Sequence, residues 1–109
     1  MAVEIYDNVM TELTDTLATV YTCPAGHYAI VNFCQASNKD ASDHTLDVTV
    51  NEGATDYYVA YNVAVPAQAS LSPFSANFVL KAGNVMKANA DVNSVVDFVM
   101  SVVEVASGA

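Results

Sequence analysis

Residues 44–65 read HTLDVTVNEGATDYYVAYNVAV. From His44 to Asn51 apolar and polar side chains alternate, with Leu46, Val48 and Val50 on one side and Asp47 and Thr49 on the other. Successive side chains of a strand point to opposite faces, so this alternation marks a strand with one face on a core. Glu52-Gly53-Ala54 supplies a turn. Tyr57, Val59, Tyr61, Val63 and Val65 then share one phase until Pro66 closes a second long strand.

The same signal extends in both directions. Upstream, 17–22 reads as a strand that stops at Cys23-Pro24-Ala25-Gly26, where Pro presets φ and Gly tolerates φ > 0. Residues 27–36 form the longest early strand, with Ala29, Val31 and Phe33 on one face and Ile30, Asn32 and Cys34 on the other. The polar stretch 37–43 is a loop. Downstream, 67–71 and 78–80 are short strands around a break at Ser72-Pro73. Lys81-Ala82-Gly83-Asn84 is a tight turn before 85–90, and 95–105 is the last strand. Residues 1–12, in which Val3, Ile5 and Asp7 share a phase, read as an N-terminal arm or edge strand. Residues 13–109 form one domain. About eight short strands separated by turn signals predict an all-β chain, an antiparallel β-sandwich of jelly-roll-like type.

Composition agrees. Among 109 residues are eighteen Val and eight Thr against five Leu, so β-branched types outnumber strong helix formers other than Ala. Hydrophobic residues make up 53%, enough to fill a core. No apolar run reaches the roughly 18–20 residues of a membrane-spanning helix and no signal segment opens the chain, which predicts synthesis in a cytosol-like compartment. Twelve Asp and Glu stand against three Lys and no Arg, for a formal net charge of −9. Neutralising phosphates requires clustered Lys and Arg, so neither nucleic acid nor an anionic membrane is expected as a partner. The expected partner is protein.

No constellation of residues points to catalysis. If residues 24–27 make a hairpin turn, Cys23 and Cys34 stand roughly 20 Å apart at about 3.3 Å per residue, beyond the ~7 Å Cα limit of a disulfide. His27 and His44 lack zinc-type spacing, and Cys34 in mid-strand is poorly placed for a reactive thiolate. Asp40, Asp43 and Asp47 lack the alternation of a calcium loop and read as a solvated loop. No catalytic residue, metal site or cofactor is expected.

The valines suggest a different use. In the last strand Val96, Phe98, Met100 and Val102 form one face, yet Val95, Val99, Val103 and Val105 occupy the other around Asp97 and Ser101. A sandwich strand normally shows water a polar side, so a second apolar face predicts burial against another subunit. The expected interface residues are Val95, Val99 and Val103, the tyrosines Tyr57, Tyr58 and Tyr61, and Ile5 and Tyr6 of the arm. The tyrosines also allow a carbohydrate-binding reading.

The order of short motifs resembles a known group. Val20-Tyr21-Thr22-Cys23-Pro24-Ala25-Gly26, a strand ending in Gln35-Ala36-Ser37-Asn38, Val63-Ala64-Val65-Pro66-Ala67, Leu80-Lys81-Ala82-Gly83-Asn84 and Ser101-Val102-Val103-Glu104 follow one another over residues 13–105. This set is similar to the small accessory virion proteins of tailed bacteriophages, with Gly83-Asn84 where that family often has Gly-Asp. The resemblance implies a non-enzymatic structural protein, a capsid decoration or cement protein. It would form a homo-oligomer, a trimer, bind the lattice of the major capsid protein and reside in the virion after synthesis in the bacterial host's cytoplasm. A neck, tail or fibre component and a carbohydrate-binding module are the alternatives.

Overall fold

The computed structural model describes residues 4–74 and 77–106; Met1 to Val3 of the expected arm and residues 107–109 lie outside the described residues. Nine strands are present among the described residues: β1 (Glu4–Glu12), β2 (Ala18–Thr22), β3 (His27–Asn38), β4 (His44–Glu52), β5 (Thr55–Val65), β6 (Ser70–Leu71), β7 (Phe78–Leu80), β8 (Val85–Ala90) and β9 (Val96–Ala106). Every pairing is antiparallel.

The chain repeatedly crosses between two sheets. One has the order β1-β9-β3-β6, with β7 also paired to β3; the other has the order β2-β8-β4-β5. Among the described residues only β4 and β5 are consecutive neighbours within one sheet. Counting β6 and β7 as one interrupted strand gives two four-stranded sheets wound around each other, a jelly roll. Ser72-Pro73 causes that interruption, since Pro cannot donate to a ladder. Two tight turns follow from residue chemistry. Gly26 and Gly83 both have positive φ (76° and 84°), which a side chain would disfavour. In the second turn the Asn84 amide N–H donates to the Lys81 carbonyl at 3.0 Å, and its side-chain oxygen accepts from the Lys81 N–H at 2.9 Å.

The core lies between the sheets. From one come Ala29, Val31, Leu80, Val96, Phe98, Met100 and Val102; from the other Leu46, Val48, Val65, Met86, Ala88 and Ala90, all essentially inaccessible. Leu13, in the β1–β2 connection, closes one end. Asn38 pins the β3–β4 loop: its side-chain amide donates to the carbonyls of Ser42 (2.9 Å) and Val65 (3.0 Å), and its oxygen accepts from the Asp40 N–H (2.9 Å).

Two strands depart from the simple alternation of their sequences. In β3 the register against β9 slips between Val31 and Phe33, so Asn32 is an extra residue. Beyond that bulge the phase reverses: Cys34 and Ala36 are buried, while Phe33, expected beside Ala29 and Val31, points outward and is 47% exposed. In β5 the register against β4 slips twice. Val63 and Val65 pair with Leu46 and His44 on the core side, but Ala60 rather than Tyr61 or Val59 sits opposite Val48. The expected single face of Tyr57, Val59, Tyr61, Val63 and Val65 is therefore broken. Bulges insert an unpaired residue and bend the strand, which a strict period of two cannot anticipate.

Candidate interface

The register places a row of side chains straight across four strands. Tyr6 of β1 is opposite Val103 of β9, Val103 opposite Ile30 of β3, and Ile30 opposite Val79 of β7. Residues directly opposite share a face, and this row lies on the side away from the core. Parallel rows place Met10 beside Val99 and Gln35, Asn8 beside Ser101 and Phe33, and Glu4 beside Val105 and Tyr28.

The face is apolar and open. Tyr6 and Met10 are each 72% exposed and Val79 is 58% exposed. Charge is confined to its ends. Glu4 stands at one; at the other, the Lys39 ammonium bridges Glu12 and Asp97, each at 3.1 Å. Between them the polar groups satisfy one another, the Ser101 hydroxyl donating to the Asn8 side-chain oxygen at 2.6 Å. The middle of this face therefore carries no charge.

Of the expected interface residues, Tyr6, Val99 and Val103 belong to this face. Val103 is only 8% exposed, because its neighbours Tyr6 and Ile30 cover it. Ile5, adjacent to Tyr6, points to the opposite side, beside Glu104. Val95 precedes β9; its carbonyl accepts the Lys39 N–H at 2.8 Å and its side chain packs against the core. The sequence reading missed Met10, Tyr28, Ile30, Phe33 and Val79. Phe33 was hidden by the bulge. Met10 could have been found by continuing the Tyr6 phase along β1.

The three tyrosines lie apart, on β5 at the edge of the second sheet. Tyr58 and Tyr61 meet edge to face, with ring centroids 5.0 Å apart and planes at 90°. Perpendicular rings do not offer a sugar the flat, parallel platform that a stacking site would use. Tyr57 and Tyr58 help line a groove of about 470 Å³ whose far wall is Phe78 and Val79. Val79 thus joins this groove to the apolar face.

The titratable groups are engaged in holding the fold. Asp40, Asp43 and Asp47 do not converge. The Asp40 carboxylate accepts from the His44 ring at 2.7 Å, Asp43 accepts the Ala67 N–H at 2.8 Å, and Asp47 accepts the Asn62 N–H at 2.6 Å. Their loop is tied down rather than simply solvated. His44 also contacts Asp91 through its other ring nitrogen at 2.9 Å, and these two carboxylates raise its pKa against the opposing effect of burial. Between the sheets the Tyr21 hydroxyl donates to the Glu104 carboxylate; burial, then that bond, pushes its pKa well above the usual phenol value. Cys23 and Cys34 are free and buried. Burial raises the Cys34 thiol to about 12, so it carries almost no thiolate near neutral pH.

No protein-family model matches the chain. No curated protein matches it by sequence. Among solved structures, it is similar to a chain of the Bacillus endospore appendages, a family of disulfide-linked pili, at 16% identity and a TM-score of 0.58, over 97% of this chain and 89% of that one. It is similar to a chain of the acidic stable capsid of Helicobacter pylori bacteriophage KHP30 at 12% identity and a TM-score of 0.57, over 96% and 93%. A chain of infectious bursal disease virus, Gx strain, matches at 8% identity and a TM-score of 0.50, covering all 100% of this chain but 38% of that one. At these identities the likeness is one of fold.

Proposed function

We propose that this chain is a non-enzymatic structural protein of a virus particle, a capsid decoration or cement protein that associates through the outer face of the β1-β9-β3-β7 sheet. The observation that carries this reading is the uncharged apolar row Tyr6, Val103, Ile30 and Val79 across four paired strands. Support comes from the phage capsid chain that shares the fold along nearly the whole of both chains. The motif order of the small accessory virion proteins adds to it. A pilus chain shares the fold equally well, but those pili are disulfide-linked, and here both cysteines are buried.

In this role the chain is a homo-oligomer, a trimer on the resemblance, and the major capsid protein lattice is its partner. Many copies of a modest apolar contact would then hold neighbouring shell subunits together by avidity. The formal charge of −9 keeps the free protein soluble and directs it away from packaged nucleic acid. Particles purified from lysed host cells and labelled with gold-conjugated antibody to this chain test the assignment. Many labels on the shell are expected. Label confined to the tail would select the tail alternative, and a chain that never sediments with particles would overturn the virion reading.

A further inference from the structure

The lateral edges of the two sheets differ sharply in how they are finished. A free strand edge presents unpaired N–H and C=O groups, and proteins normally blunt it with bulges, prolines or short strands. Three of the edges here are treated this way. β2 is short and slips register between Thr19 and Tyr21. β5 slips twice and contains Asn62 at φ 53°. The edge opposite β1 is split into β6 and β7 with Pro73 between them. β1 has no bulge, proline or break: it pairs with β9 in unbroken register from Glu4 to Glu12, and among the described residues β9 is its only strand neighbour. Its one blunting feature is charge, from Glu4, Glu12 and Asp7, whose carboxylate accepts the Asn8 N–H at 2.9 Å and would release it on pairing.

The sequence of β1 also indicates what pairs with it. In an antiparallel twofold pairing of β1 with a second β1, three registers overlap most of the strand. Centred on Asp7, the pairing sets Asp7 against its own copy. Centred on Asn8, it sets Glu4 against Glu12 at both ends. Like charges directly opposite are destabilising. Centred on Val9, it sets Tyr6 opposite Glu12, Asp7 opposite Thr11, Asn8 opposite Met10, and Val9 opposite Val9. Each carboxylate within the overlap then faces a hydroxyl, and none faces another carboxylate. Val9, already packed against the core, meets its copy on the core side of the joined sheet.

We infer that β1 is a strand-addition edge for a second copy of this chain, antiparallel and centred on Val9. The contact uses the edge of the sheet and not its outer face, so it holds whether or not the chain belongs to a virion. An edge contact of twofold symmetry and a separate contact on the outer face let each copy touch two different neighbours, which an extended layer requires.

Cysteine scanning along β1 tests it, because residues directly opposite in a ladder lie about 4.5–5.5 Å apart, within disulfide reach, while a shift of two residues takes them beyond it. Under mild oxidation Val9→Cys is expected to give a disulfide-linked species of twice the chain mass, and Asp7→Cys and Asn8→Cys are not; the native thiols are buried. Hydrogen exchange on the unmodified protein gives an independent readout: β1 amides should become more protected as concentration rises. Cross-linking of Asp7→Cys or Asn8→Cys in place of Val9→Cys would overturn the register. Exchange in β1 that is independent of concentration would overturn the strand pairing itself, whatever the folding of the cysteine variants.

Discussion

His44 holds two loops with one ring. Ionised carboxylates only accept hydrogen bonds, and a neutral imidazole has one donor, so bonds from both nitrogens to Asp40 and Asp91 require the imidazolium form. Its pKa is raised and that of Asp40 is lowered, chiefly by their mutual hydrogen bond. A raised histidine pKa contributes stability that is complete below the ordinary value of 6.5 and is lost as pH rises through the folded value. A lowered Asp40 pKa contributes stability present above 3.8 and lost as pH falls through the folded value. His44→Gln should therefore cost most between these limits, near pH ~5, and progressively less as pH rises through the folded histidine value, as read from urea midpoints of the two proteins. Asn84 supports a narrower prediction. Its side-chain amide donates to Glu52 at 3.4 Å. An aspartate there would place two carboxylates together, and Asn84→Asp should cost about 1 kcal/mol in denaturant unfolding. Asn38→Ala removes the three bonds of a buried side chain, one of them fully buried and two partly so, and should cost about 2–3 kcal/mol by the same measurement.

The strands themselves were readable where side-chain phase and pairing register agree. β4 pairs with β8 in unbroken register, and its Leu46, Val48 and Val50 all face the core as expected; Thr49, of the opposite phase, is nonetheless fully buried, where the register against β5 slips. The turns at Gly26 and Gly83 were readable because few residues other than Gly suit their φ. β3 and β5 were readable as strands but not as faces. A bulge needs a partner strand to be seen, and neither Asn32 nor Val59 carries a mark in sequence. The candidate face was hidden for the same reason, since it draws on four strands whose order follows from the winding of the whole chain. β5 offers a test at this scale. Asn62 sits at φ 53°, where a β-branched residue is strained and glycine is not. Asn62→Val should destabilise by about 1–2 kcal/mol and Asn62→Gly by a few tenths, as read from thermal or urea unfolding.

The whole molecule combines a large negative charge with an uncharged apolar face. These features act at different ranges. Copies repel through solution over a Debye length of about 10 Å at 0.1 M salt, while the apolar contact acts only once surfaces meet. Raising salt from about 0.01 to 0.15 M should therefore strengthen self-association, as followed by light scattering. The most direct measurement is the solution mass, by analytical ultracentrifugation over a wide concentration range, of the natural chain and of a variant carrying Val79→Asp and Val99→Asp. Both side chains lie on the outer face, Val79 exposed and Val99 half-buried between Met10 and Gln35, so the variant's denaturant midpoint is measured alongside its mass and should show it still folded. The natural chain should sediment as an assembly larger than a dimer, and the variant should fall back to a dimer or less. A natural chain that stays at 11.5 kDa at the highest concentration, or a variant whose mass is unchanged, would contradict an associating outer face.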